Sequence, residues 1–322
     1  MRQKPVPALP RRGGCRFCVM IKTRLEVVMI FVADKWIDFE LIDSGDGMKL
    51  ERWGDVVLAR PDPQAIWKAQ SKKAWDRASA IYHRSKSGGG SWEFVRKIPE
   101  KWTISYGDLK FYVEPTGFKH TGLFPEQAAN WDYCRELISA SIKAGNSAPK
   151  VLNLFGYTGA ATVACAAAGA RVCHVDAAKG MVTRARENVE LSGLGNAEVR
   201  YIVDDAFKFV AREIRRGNTY DGIIMDPPSY GRGPGGEVWK LEDNIYEFVE
   251  TCAKLMSDKP LFFILNSYTT GFSPVVTENM LSVILKKRFG GTVVAGDLCL
   301  KSTEGGLLLP CGSTARWQGR ES

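Results

Sequence analysis

Residues 150–168 read KVLNLFGYTGAATVACAAA. Val151, Leu152 and Leu154 make a short apolar run that stops at Gly156, and an alanine-rich stretch of helix formers begins at Ala160. A run of this length closed by glycine and followed by a helix reads as a buried strand turning sharply into a helix. The same alternation continues outward. "ARVCHVD" (170–176) precedes a helix from Lys179 to about Leu191, and "AEVRYIV" (197–203) precedes one around "AFKFVAREIRR" (206–216). "YDGIIMD" (220–226) leads to a helix with Ile245, Phe248, Val249, Cys252 and Met256 on one face, and then "PLFFILN" (260–266). Period 2 giving way to period 3.6 at each step predicts an α/β fold with a doubly wound, Rossmann-like, mostly parallel sheet. Two strand-like runs joined by "STEGG" (302–306) close the chain, and a hairpin there adds an antiparallel strand to the sheet.

The remaining sequence divides into two further parts. Residues 1–35 are proline-rich and basic without a clean period, and read as a poorly ordered extension. Residues 36–118 carry strand-and-turn texture ("DFELIDSGDG", "DVVLARPDP", "SWEFVR", "DLKFYVEPTG") and read as a smaller β-rich domain, with a flexible tip at Ser87–Ser91. Residues 119–322 then form the α/β domain.

Open parallel sheets bind ligands beyond the carboxyl ends of their strands, where strand order reverses. The turn Phe155-Gly156-Tyr157-Thr158-Gly159 is therefore the first candidate site, its glycines free to take positive φ and let a ligand press on the backbone. Asp176, with Ala177 behind it, ends the next strand about 20 residues on, where a carboxylate accepts ribose hydroxyls. Asp205, with Ala206, follows the third strand, placed to accept from an adenine amine. A G-x-x-G turn departs from the G-x-G-x-x-G of dinucleotide sites and suits an adenosine without phosphates. A nicotinamide cofactor remains the alternative.

The fourth strand ends in Asp226-Pro227-Pro228-Ser229-Tyr230. Neither proline has an N–H and both have fixed φ, so the segment can neither extend a ladder nor start a helix at once. Asp226 and the Pro227 carbonyl then form a stiff pair of acceptors for an amine or ring nitrogen, and Tyr230 a face on which an extruded base can stack. Beyond it, Gly231–Gly236 reads as a mobile loop over the substrate, with Arg232 and Lys240 for phosphate; a plain surface connection is the alternative.

"NLFGYTGAAT", "VDAAKG", "DDAFKF" and "DPPSYGRG", in this order, resemble class I S-adenosylmethionine-dependent methyltransferases. "TGLFPEQ" (121–127) and "DPPSYGRGPGGEVWKLEDN" (226–244) further resemble the bacterial large-subunit 23S rRNA methyltransferase family, the likeness spanning about residues 120–317. The resemblance implies S-adenosylmethionine as cofactor and RNA, specifically rRNA, as substrate. It also implies Gln127 beside the cofactor, although the arginine usual after it is Ala128 here. Methylation at cytosine C5 needs a thiolate to add to the ring. The loop Asn266-Ser267-Tyr268-Thr269-Thr270 has no cysteine, and Cys299 and Cys311 lie in the closing strands, so a nitrogen acceptor is expected. Methyl transfer to a small molecule or protein, and a non-catalytic RNA-binding relative, stay open.

Composition is compatible with this reading. The 322 residues carry 44 Lys plus Arg against 36 Asp plus Glu, a net +8 that favours phosphate-rich partners. Every hydrophobic run is broken by charge within roughly 18 residues, which argues against a membrane span. Lys22, Arg24 and Glu26 interrupt the only N-terminal apolar segment. Eight scattered cysteines read as reduced thiols, so a cytoplasmic location is expected. Cys15-Arg16-Phe17-Cys18 and three histidines do not assemble an evident four-ligand zinc site, and no metal is expected.

Overall fold

The computed structural model describes residues 29–85, 89–117, 119–232, 238–269 and 271–320. The CxxC and most of the basic N-terminal stretch lie outside them. β1 (Met29–Val32) precedes a set of small strands: β2 (Phe39–Gly45), β3 (Met48–Trp53), β4 (Val56–Pro61), β5 (Ala80–Arg84) and β6 (Gly90–Phe94), with the single-turn α1 (Lys72–Trp75) between β4 and β5. The hairpin β7 (Trp102–Tyr106) and β8 (Leu109–Val113) follows. The larger half then runs α2 (Ala128–Lys143), β9 (Lys150–Leu154), α3 (Ala160–Ala167), β10 (Arg171–Asp176), α4 (Lys179–Leu191), β11 (Val199–Val203), α5 (Ala206–Arg215) and β12 (Gly222–Met225). A short ribbon, β13 (Tyr230–Arg232) with β14 (Val238–Lys240), leads to α6 (Leu241–Ala253) and β15 (Phe262–Ser267). Helix α7 (Pro274–Leu281) runs on to Phe289, and β16 (Thr292–Lys301) with β17 (Leu308–Gln318) close the fold.

The main sheet has the order β1-β16-β17-β15-β12-β9-β10-β11, in which β17 alone runs antiparallel to its neighbours. The chain enters at β9, steps outward to β10 and β11, and returns to the other side of β9 as β12. Strand order reverses between β9 and β12, which opens a crevice at their carboxyl ends. Their side chains are buried on both faces, as the unbroken apolar runs require.

The N-terminal third departs from the expected boundaries. Met29–Val32, inside the supposed extension, pairs in parallel with β16 and adds an edge strand to the main sheet. The pairing partner lies more than 260 residues away, so no local period announces it. The segment 36–118 also divides in two. β2–β6 form a five-stranded sheet, whereas β7–β8 lies on the helices of the main sheet, with Tyr112 N donating to Asn188 Oδ1 and Lys110 N to Ser192 Oγ at 2.9 and 3.0 Å. One apolar core joins Trp53 and Leu58 of the small sheet to Trp131, Val163, Leu300 and Leu309. The small sheet is thus seated on the larger half through continuous packing. No described helix is long and apolar enough to cross a membrane.

Candidate active site

The turn after β9 is held by its own backbone. Gly156 N donates to Val175 O at 3.0 Å and Gly159 N to Gly156 O at 2.9 Å. Positive φ falls at Phe155 (55°), Tyr157 (49°) and Gly159 (82°), not at Gly156. Left-handed backbone at a non-glycine residue costs about 1–2 kcal/mol; two such residues in one turn mark a conformation imposed by its surroundings. Gly156 is small for a different reason from the one its spacing suggests. A Cβ there would stand 2.4 Å from His174 Cε1 and 2.5 Å from Nδ1. The His174 ring forms the floor of the turn, bonded through Nδ1 to Thr162 Oγ1 (3.0 Å), and burial pushes its pKa down to about 4, so it is neutral. Thr158 Oγ1 donates to Gly122 O (2.6 Å), and Asn188 Nδ2 to Thr158 O (2.8 Å).

Asp176 is fixed by two backbone donors, Tyr157 N to Oδ2 (2.9 Å) and Ala178 N to Oδ1 (2.8 Å). A carboxylate has about four acceptor sites, so each oxygen retains capacity for a hydroxyl. Ala177 beside it is exposed. Asp205 caps α5 by accepting from Lys208 N at 3.0 Å, a structural task its position in the motif did not reveal; among the described residues its second oxygen is unbonded. Ala206 is buried in the first turn behind it.

Across the crevice, Asp226 ends β12 half-buried, and no donor among the described residues bonds its carboxylate. Burial, and then the nearby Glu126 carboxylate, raise its pKa to about 7. Trp239 Nε1 donates to Pro228 O at 2.6 Å and Leu241 N to Ser229 O at 3.0 Å, pinning the ledge from behind. The described residues at the two ends of the expected loop pair as a short ribbon: Tyr230 faces Lys240 and Arg232 faces Val238 in antiparallel register. Opposed residues share a face, so the exposed Tyr230 ring and Lys240 stand together. The side chain of Arg232 and residues 233–237 lie outside the described residues.

A single cleft is lined by Gln127, Phe155, Gly156, Tyr157, Thr158 and Asp226, with Leu123, Phe124, Trp131, Asn153 and Asn266. Asp176, Ala177, Asp205, Ala206, Tyr230 and Lys240 do not line it. The first four adjoin it through the turn, since Tyr157 both lines the cleft and donates to Asp176, and Asp204 N donates to Asp176 O at 3.1 Å.

Glu126, Asn130 and Tyr268, which the motifs passed over, form a hydrogen-bond network with the cleft residues Gln127 and Asn266. Gln127 Nε2 donates to Tyr268 Oη (2.8 Å), which donates to Glu126 Oε1 (3.0 Å). Asn130 Nδ2 bonds Gln127 Oε1 at 2.8 Å and Asn266 Oδ1 at 2.9 Å. Gln127 therefore spends both ends of its amide orienting neighbours. Glu126 is buried and its pKa is raised by desolvation. Glu126 sits one residue from Gln127 in "TGLFPEQ", and Tyr268 in the loop searched for a cysteine, so motif adjacency was their only signal. Cys311 lies within charge range of Tyr268 and Glu126, but burial, reinforced by Glu126, drives its pKa well up, so the thiol stays protonated.

A family profile described as S-adenosylmethionine-dependent methyltransferase matches residues 64–242. The crystal structure of an S-adenosylmethionine-dependent methyltransferase from Agrobacterium tumefaciens is 38% identical, superimposes with a TM-score of 0.85, and is covered over 94% of its length by 91% of this chain. The chain belongs to the S-adenosylmethionine-dependent methyltransferase family, and its cofactor is S-adenosylmethionine. Ribosomal RNA large subunit methyltransferase K/L of Shewanella frigidimarina is 28% identical over 235 residues, 70% of this chain and 30% of that protein. Ribosomal RNA large subunit methyltransferase K of Neisseria meningitidis serogroup B is 25% identical over 247 residues, 73% of this chain and 67% of that protein. The chain thus spans under a third of the length of the first of these relatives and about two thirds of the second.

Proposed function

We propose that the protein methylates a base nitrogen in ribosomal RNA. The observation that carries this reading is Asp226: a half-buried carboxylate with no described donor, on a proline-stiffened ledge at the strand-order reversal, facing the turn 155–159. Support for RNA comes from the net charge of +8 and from the rRNA methyltransferases among the relatives.

The residues present fit the cofactor. The turn from Phe155 to Gly159 contains no cation for a phosphate, and Asp176 keeps free acceptor capacity beside it, as an adenosine without phosphates requires. Phe155–Gly159 and Asp176 with Ala177 would hold the nucleoside, Asp205 with Ala206 would take the adenine edge, and Gln127 would act by setting Tyr268 against the cleft. Bound there, S-adenosylmethionine would supply an electrophilic sulfonium methyl group, which passes to a nucleophile as the neutral thioether leaves. The protein's task is then alignment. Asp226 and the Pro227 carbonyl accept from the N–H of the incoming nitrogen and aim its lone pair. Tyr230 stacks the extruded base, and Lys240 with Arg232 meets its phosphates. With a pKa near 7, Asp226 can take the proton that the nitrogen sheds.

C5 chemistry has little support, since Cys311 is held protonated and residues 266–269 carry no thiol. The test is incubation with isotopically labelled S-adenosylmethionine and unmodified rRNA, followed by mass-spectrometric mapping of the label. Label on a guanine or adenine nitrogen supports the reading; label on cytosine C5, or on protein alone, overturns it.

A further inference from the structure

The chain leaving β8 doubles back on itself beside the cleft. Glu114 N donates to Thr121 O (3.1 Å), and both Thr116 N and Oγ1 donate to His120 O (3.3 and 2.8 Å). Two bonds tie this bend to the small sheet: Trp92 Nε1 of β6 to Thr116 O at 2.9 Å, and Arg60 Nη1 of β4 to Lys119 O at 2.8 Å. Its far end meets the cofactor turn through Thr158 and Gly122. The His120 ring lies 5.3 Å from that of Phe124, a cleft residue. Lys119 and His120 are thereby fixed between the small sheet and the mouth of the cleft.

The charges gathered there do not balance. Glu51 binds Arg60 through two contacts, at 2.7 and 2.9 Å, and Lys49 at 3.3 Å; Asp62 lies 3.4 Å from Lys49. Lys119 and Arg84 have no ion-pair partner among the described residues. Burial, with Lys49, Arg60 and Arg84 nearby outweighing Asp62, holds the Lys119 pKa below its ordinary value, and burial with Arg60, Lys119 and Lys49 nearby pushes His120 down to about 4. Cations held together by backbone bonds repel one another, and an arriving anion relieves that repulsion without any rearrangement.

We propose that Lys119 and Arg84 grip a backbone phosphate of the RNA strand whose base enters the cleft, making the junction of the small sheet and the methyltransferase half a substrate-positioning site. The proposal rests on the RNA reading above. It assigns the small sheet a definite role, supplying Arg84 directly and setting Lys119 through Arg60. Phosphate contacts of this kind fix register and carry no sequence information.

The experiment measures rRNA-fragment affinity against salt for the full chain and for Lys119→Gln, Arg84→Gln, the double variant and Lys119→Arg, with S-adenosylhomocysteine binding as the check on folding. Each lost contact should flatten the log–log salt slope by about 0.7–1, and the double variant by roughly twice that. Lys119→Arg should keep the parental slope, and cofactor binding should persist throughout. A double variant that methylates and binds RNA with the parental slope overturns this site while leaving the RNA reading intact. A parent chain with no salt-dependent affinity for RNA overturns both. Arg84 is exposed, so its variant reports even where Lys119→Gln perturbs the bend.

Discussion

Asp176 and Asp226 end strands of one sheet on the same rim, and their surroundings are opposite. Asp176 is held by two backbone N–H groups, Tyr157 of the internally bonded turn and Ala178 just beyond its own strand. Asp226 has no described donor and a pKa raised to about 7. The cofactor half is complete without its ligand. The acceptor half holds polar capacity in reserve, and the unfavourable burial of that carboxylate is relieved when a donor arrives. A methyltransferase needs this asymmetry, because one ligand is common to all turnovers and the other must be aligned afresh each time.

The most disruptive test attacks the preformed side. Gly156→Ala drives a methyl group into the His174 ring, and overpacking of this kind costs about 1–3 kcal/mol. Calorimetry should show S-adenosylhomocysteine binding lost, with melting temperature lowered. Undiminished binding would mean that the turn is not rigid and the contrast fails. Asp226→Asn should sharpen it, lowering kcat by about 10²–10⁴-fold, the range of a positioned acid–base group, with cofactor affinity retained.

Titration separates the two carboxylates further. Asp226 is protonated in the folded protein up to about pH 7, against 3.8 for an ordinary aspartate. Between those values the folded state binds a proton that the unfolded chain has released, so this group's contribution to stability falls as pH rises through the window. Asp226→Asn should therefore be more stable relative to the parent at pH 8 than at pH 5, measured by denaturant unfolding. In the parent, kcat should climb with pH through about 7 as the acceptor ionises.

Smaller effects belong to residues at the edges of the contrast. Tyr230→Ala should raise KM for RNA by about 5–100-fold, the worth of one stacked base, with cofactor binding unchanged. Tyr268→Phe removes the donor to buried Glu126 and the acceptor for Gln127, costing about 1–3 kcal/mol. Thermal unfolding should register it as a shift of a few degrees.

Most of the cofactor half was legible because its determinants are local. Turn, helix cap and strand end lie within a few residues of each other, and parallel strands buried on both faces betray themselves as unbroken apolar runs. Even so, Gly156 was read as a φ requirement when its cause is the His174 ring, brought beneath it by the β9–β10 register. The sequence offers Asp205 as a cofactor residue, but its service as the α5 cap needs coordinates. The sequence could also not show that residues 230–232 pair with 238–240, since three-residue strands have no measurable period.

The succession of strands and helices along the chain was written in the chain itself, because periodicity and turn chemistry act between near neighbours. The pairing of β1 with β16, the link from Glu126 to Tyr268 across 142 residues and the unbalanced cations around Lys119 were decided only by the tertiary structure. Contacts between distant segments, and the loss of water that sets their charge states, exist only once the chain has closed on itself.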